Sequence, residues 1–238
     1  LSEARIPRFA VIPSRPQTID RIILLERCLN AIAPQVDQVF VIDNTKAGTI
    51  GVGPVPEPLD NVTFIHDPVD PVNLSQLWNM GLSQARVFLH NYTDSPDPSP
   101  KWDVAILNDD AIVPPGWFDA VSSAMRGHGG AAGCSRGPYV RHRPLVHLAP
   151  QPVNLFTRMT GWAFILAGEK GARANEQLKW WFGDDHLDWL SRQLGGVVAI
   201  PGFWVEHLAE NGQVTPELQE QIAKDAAAFV AYWGMRPW

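Results

Sequence analysis

Residues 9–45, FAVIPSRPQTIDRIILLERCLNAIAPQVDQVFVIDNT, carry the signal that decides the fold. FAVIP (9–13) is a short apolar run ended by proline, the pattern of a buried parallel strand. Ile22, Leu25, Leu29 and Ile32 then recur three and four residues apart, which makes one apolar helix face, and Pro34 stops it. VDQVFVIDNT (36–45) returns as a β-branched strand with Asp43 and Asn44 at its carboxyl end. A β-α-β unit of this size predicts a right-handed crossover and a parallel sheet.

The pattern continues along the chain. Residues 47–61 are loop by composition, with glycine and proline throughout. VTFIH (62–66) is a third strand, and residues 73–90 form a helix with Leu74, Leu77, Trp78, Leu82 and Ala85 on one face. NYTDSPDPSPK (91–101) is a surface excursion, and WDVAILN (102–108) is a fourth strand that runs into Asp109 and Asp110. A helix follows AIVPPGWF and extends to about Met125. Residues 128–144, rich in glycine and arginine, have no clear periodicity. TGWAFILAGEKGA (160–172) fits a strand or a turn and helix. Residues 174–196 give an acidic site followed by a helix, and GVVAIPGFWVEHL (196–208) reads as one strand ending in His207. Thr215 and Pro216 cap a terminal helix whose apolar face is Leu218, Ile222, Ala226, Phe229 and Trp233, opposite Glu217, Glu220, Lys224 and Asp225. The expected organisation is one α/β domain over 1–213, with a mainly parallel sheet flanked by helices, and a helix and tail over 214–238 packed on it.

Composition narrows the function. With 238 residues and 45% hydrophobic content, a full core needs no disulfides. The two cysteines, Cys28 and Cys134, are too few for a disulfide framework or a thiolate zinc site, and reduced thiols are expected. No run of eighteen apolar residues spans a membrane, and the first fifteen residues lack a signal-peptide core, so a soluble cytoplasmic protein is expected. A net charge of −6 argues against a broad nucleic-acid surface. Ten tryptophans are spread along the chain; most serve cores, and some are suited to the C–H faces of sugars.

The most informative chemistry lies in WDVAILNDDAIVPPGW (102–117). Two adjacent carboxylates directly after an apolar strand sit where open α/β sheets bind ligands. A hard divalent cation bridging phosphate oxygens would satisfy them; a solvated turn capping the next helix is the plainer alternative. In WWFGDDHLDW (180–189), Asp184 and Asp185 precede a helix whose N-terminus favours their charge. One of them is also a candidate general base, beside Trp180 and Trp181. His207 closes an apolar segment, and no histidine pair has metalloprotease spacing. There is no phosphate loop and no dinucleotide fingerprint after the first strand; Ser14 and Arg15 stand there instead.

In their order, these segments resemble the inverting family-two glycosyltransferases with a GT-A fold, from about Phe9 to His207. AVIPSRPQ is similar to that family's first strand and its turn under the nucleotide, which implies donor contacts at Pro13, Ser14 and Arg15. VFVIDNT resembles the second strand, whose terminal aspartate, here Asp43, contacts the nucleoside. NLSQLWNMGL resembles the asparagine-rich segment that supports the donor, here Asn73, with Ser75 where a glycine is usual. AILNDDAIVPPGW stands where the family has its Asp-x-Asp-like motif. Asn108 fills the first acidic position, which implies diphosphate contacts at Asn108 and Asp109 and a metal ligand at Asp110. TGWAFILAGEKG resembles the acceptor-side segment, with Trp162, and Trp181 joins that side. WFGDDHLDW resembles the motif that supplies the base: Asp184 replaces the usual glutamate, Asp185 falls at the base position, and Asp188 lies one place later than the pattern has it. His207 matches a histidine that completes the metal site.

The resemblance implies a hexosyl- or related transferase that moves a sugar from a nucleoside diphosphate, UDP being the expected nucleotide, with Mn2+ or Mg2+ as cofactor. The acceptor is left open among a glycan, a protein, a lipid-linked sugar and a modified base. Two rivals remain: a sugar-1-phosphate nucleotidyltransferase, which would want a basic glycine-rich loop after the first strand, and a non-catalytic sugar- or nucleotide-binding module, to which Asn108 and the shifted Asp188 lend support.

Overall fold

The computed structural model describes residues 5–45, 59–92, 100–208 and 215–238. Its first half follows the periodicity closely. Strand β1 (Arg8–Ser14) leads through helix α1 (Ile19–Ile32) to β2 (Gln38–Asp43), and β3 (Val62–His66) leads through α2 (Leu74–Tyr92) to β4 (Asp103–Leu107). These four strands are parallel in the order β3-β2-β1-β4. Most of the 47–61 loop and of the 91–101 excursion lies outside the described residues.

The second half adds two reversed strands to the mainly parallel sheet. After β5 (Ala111–Ile112) and α3 (Trp117–Gly127) come β6 (Ala132–Ser135), β7 (Leu145–His147), β8 (Ala163–Ala167), α4 (Gly183–Gln193) and β9 (Val197–Ile200). The full order is β3-β2-β1-β4-β8-β6-β9-β7; β8 is antiparallel to both its neighbours, and β7 is antiparallel to β9. The sheet is therefore mixed. The segment without periodicity holds an interior strand, because AGCS is too short and glycine-rich to show alternation. The reading of residues 196–208 as one strand fails. β9 ends at Ile200, the chain turns through positive φ at Gly202 and Phe203, and β10 (Glu206–His207) pairs with β5 in a separate two-stranded sheet.

Helices cover both faces of the sheet, and the strands alternate between them. Ala10, Ile12, Val39 and Val41 face the α1–α3 side, while Phe9, Val11, Phe40 and Ile42 face α2. Helix α2 lies so close that a Cβ on Gly81 would come within 2.1 Å of Val11 Cγ1, so its glycine is a packing requirement. Helix α5 (Pro216–Trp233) is capped by the Thr215 side chain and buries Phe229 against Leu178, Phe182 and Trp189 of the α4 region. One residue assigned to its polar face is misplaced. Asp225 is fully buried and accepts from the amides of Lys179, Trp180 and Trp181 and from Gln221 Nε2. Among the described residues, no helix is long and apolar enough to cross a membrane.

Candidate active site

The carboxyl ends of β1, β2 and β4 meet at one edge of the sheet, and parallel register puts Ser14 directly beside Asp43. Ser14 Oγ donates to Asp109 Oδ2 at 2.7 Å. Asp43, also buried, accepts from the Thr45 amide at 2.9 Å and lies 3.3 Å from His66 Nδ1. Pro13 is buried one place earlier, opposite Ile42. Local chemistry explains the turn after β4: Asn108 sits at its start, the Ala111 amide donates to the Asn108 carbonyl at 3.1 Å, and Asp109 and Asp110 are the residues between.

The short β5–β10 ladder then supplies the histidine. His207 pairs with Ala111, and the Leu208 amide donates to the Asp110 carbonyl at 3.2 Å. This brings His207 Nε2 to 3.1 Å from Asp110 Oδ1 and 3.2 Å from Asn108 Nδ2. Trp162 lies nearly parallel over the imidazole, with centroids 5.4 Å apart and an 18° interplanar angle, and its carbonyl accepts from the Asn108 amide at 3.0 Å. Residues separated by about 100 positions thus form one cluster.

Arg21, in the first turn of α1, was not anticipated as a site residue. Its guanidinium contacts Asp109 directly and reaches Asp110 Oδ2 at 3.4 Å. A cation in the first turn opposes the helix dipole, and that misplacement is the signal the sequence did carry. Burial pushes the Asp109 carboxyl up from its ordinary value, opposed by Ser14, Arg21 and the Arg15 amide and reinforced by the Asp110 charge.

Among the described residues, no three His, Cys, Asp or Glu side chains form a complete metal cage. The donor set nevertheless fits a magnesium- or manganese-type ion, which takes one or two protein ligands and fills its shell from phosphate and water. Asp110 offers a buried carboxylate oxygen and His207 an imidazole nitrogen beside it. Arg21 places a positive charge on those carboxylates.

The second acidic pair adjoins the first through Gly161. A Cβ on Gly161 would lie 3.0 Å from Asp184 Oδ2, so the Asp184 carboxylate rests on the backbone next to Trp162. Arg158 joins the pair, in direct contact with Asp185 and 3.3 Å from Asp184. The Asp185 side chain is only 4% exposed, against 19% for Asp184. Burial, reinforced by the Asp184 and Asp188 charges, holds the Asp185 carboxyl well above its ordinary range against Arg158 and a hydrogen bond from Trp238. Asp188 instead forms a buried pair with Arg192 inside α4.

Two further expected site residues lie outside these two clusters. Asn73 caps α2 by accepting from the Gln76 amide at 3.1 Å and donates to the Glu176 carbonyl at 2.9 Å. Trp181 stands where α5 docks, its amide held by Asp225. Cys28 and Cys134 are free, as expected, and buried; burial pushes the Cys134 thiol up to about 12.

The chain superposes on S. aureus TarS 1–349 in complex with UDP-GlcNAc with a TM-score of 0.59 at 11% identity, over 94% of this chain and 67% of that one. TarS 1–349 without a named ligand gives 0.55 at 10% identity, over 82% and 58%. GalNAc-T7 with UDP, GalNAc and Mn2+ gives 0.60 at 10% identity, over 94% and 48%. This chain shares their fold. It spans only about half to two thirds of their length. No family model matches the sequence, and no curated protein matches it.

Proposed function

We propose that the chain is an inverting, metal-dependent glycosyltransferase that moves a sugar from a nucleoside diphosphate to an acceptor hydroxyl. The observation that carries this reading is the convergence of Asp110 and His207, 3.1 Å apart, beside Asp109 and Ser14 at the carboxyl edge of the sheet. Support comes from the shared fold, since the solved structures that share it hold UDP-GlcNAc in one case and UDP, GalNAc and Mn2+ in another.

In this reading Asp43 and the Ser14–Arg15 turn hold the nucleoside, and the diphosphate lies across Asn108 and Asp109. Asp110 and His207 would hold a divalent ion, which would supply Lewis-acid neutralisation of the leaving diphosphate. Arg21 turns from the carboxylates toward the phosphates, where its planar fork makes charge-assisted contacts. The base is assigned to Asp184 rather than Asp185. Asp184 keeps the more accessible carboxylate and lies over Gly161, whereas Asp185 is enclosed by Arg158 and Trp238. Asp184 then accepts the acceptor hydroxyl's proton as that oxygen attacks the anomeric carbon, and Arg158 balances the charge of the acidic pair.

The test is hydrolysis and transfer with a panel of sugar nucleotides, with and without Mn2+. Metal-stimulated turnover of at least one donor is expected. Asp184→Asn is expected to slow transfer by about 10²–10⁴-fold while UDP binding persists. If Asp185→Asn has that effect and Asp184→Asn does not, the base assignment reverses; if no donor turns over, the enzymatic reading fails.

A further inference from the structure

Beyond the acidic cluster, the same edge of the molecule carries exposed aromatic rings. Tyr139, Phe156 and Trp204 are 45%, 53% and 55% exposed. Large exposed aromatics that gather at one place mark an interaction surface. Tyr139 and Phe156 stack at 4.7 Å with an interplanar angle of 28°, and Trp204 lies 6.5 Å from Tyr139.

The ledge is built, not incidental. Arg136, itself buried, donates to the carbonyls of Phe156 at 2.8 Å and Leu155 at 2.7 Å, fixing the turn that presents Phe156. Its guanidinium lies 5.5 Å from the Tyr139 ring centroid and 5.7 Å from that of Trp162. One buried cation therefore links the ledge to the tryptophan that stacks on His207. The backbone is also constrained: Phe203, beside Trp204, holds a φ of 48°, and a Cβ on Gly137 would lie 2.7 Å from the Gly202 amide nitrogen. From Trp204 a groove of about 720 Å³ continues past Pro115, with Arg5, Arg8, Asn30, Gln35, Asp119 and Glu206 as its polar lining.

We propose that Tyr139, Phe156 and Trp204 form a docking ledge for a saccharide chain, so that the acceptor of the proposed transfer is a glycan. The inference rests on that reading for the word acceptor, and on the ledge itself for the saccharide. Pyranose rings offer a flat C–H face to aromatic rings and hydroxyls to amides and carboxylates. The structure supplies these in sequence, rings nearest Trp162 and polar groups along the groove. A bilayer would meet a groove of balanced sign there, Arg5 and Arg8 beside Asp119 and Glu206, with Arg8 already paired to Asp119, and not the lysine- and arginine-rich face that anionic lipid attracts.

The decisive experiment is titration of the whole chain, without donor or metal, with cellohexaose, chitohexaose, maltohexaose, xylohexaose and a hyaluronan hexasaccharide, followed by calorimetry. Binding of at least one hexaose is expected, weakened about tenfold by Trp204→Ala and by Tyr139→Ala, and largely restored in Trp204→Phe. Thermal melts of each variant establish that it is folded. No binding to any hexaose, binding indifferent to both alanine variants, or ring-dependent binding to anionic phospholipid vesicles in place of sugars would overturn the proposal. The titration is independent of turnover: a chain that hydrolyses no sugar nucleotide yet binds a hexaose through Trp204 loses the transferase reading and keeps this one.

Discussion

Two buried acidic centres in this molecule differ in what surrounds them. Asp225 is held by three successive backbone amides and by Gln221, all at 2.6–3.1 Å. Those amides are successive in the chain, and their hydrogen bonds are fixed by the chain's path. Asp109 takes one backbone amide, that of Arg15, but the charges on Asp109 and Asp110 meet side chains: Ser14, the imidazole of His207 and Arg21, whose side chain is 35% exposed. Arginine and imidazole can move aside or exchange partners; backbone amides cannot. A carboxylate saturated by the main chain fixes structure, whereas one neutralised by mobile side chains is poised to exchange its partner for a ligand.

The widest separation of the two centres comes from neutralising each. Asp110→Asn is expected to lower kcat/KM for transfer by about 10³-fold, the worth of an electrostatic contact to a developing charge, with no loss of melting temperature because a buried like-charge contact is relieved. Steady-state kinetics paired with calorimetric melting checks both halves, and a large fall in stability would collapse the distinction. Asp225→Ala should do the reverse. Leaving the three amides without their buried acceptor costs about 3 kcal/mol in stability, roughly 8 °C in melting temperature, with Mn2+ and UDP affinity unchanged.

The region around Asp225 carries its own pH signature. His186 is buried under Tyr232 and Trp233, and Trp233 Nε1 donates to its Nδ1 at 3.2 Å. Burial lowers its pKa from 6.5 to about 4. The unfolded chain, with the ordinary value, takes up the proton first as pH falls. The stability due to neutral His186 is therefore full above about pH 6.5 and is lost as pH falls toward 4. Between pH 7 and pH 5 the His186 contribution should fall by about 2 kcal/mol, and His186→Gln should remove that part of the pH dependence; denaturant titrations of both chains at the two pH values measure the difference. An unchanged slope in the variant would place the pH dependence elsewhere.

The smallest effect sharpens the comparison most. Arg21→Ala removes the resident cation from Asp109 and Asp110, so Mn2+ binding without nucleotide, measured by paramagnetic resonance, should tighten about tenfold. Weaker binding in the variant would mean that Arg21 organises the pair rather than competing for it.

The local signals in the sequence were strong where a single element contains the whole message. The β-α-β opening, the helix over 73–90, and the placement of Asp43, Asp109 and Asp110 at strand ends all follow from apolar periodicity and its interruptions. The terminal helix was equally legible, down to its Thr215 cap. Strand direction was not: AFILA is buried throughout and reads the same whichever way it runs, so only the folded chain decided that β8 is antiparallel. Pairings between distant residues were also beyond local reading. His207 reaches Asp110 because two residues of β10 pair with two of β5, Arg21 reaches both carboxylates because α1 starts where β4 ends, and Asp225 is buried because α5 lies over residues 179–181. Periodicity records which side of an element faces the core, and so the sequence alone determined the elements and the chemical groups at their ends. Which of those groups meet depends on contacts between residues far apart in the chain, and tertiary structure alone decided them.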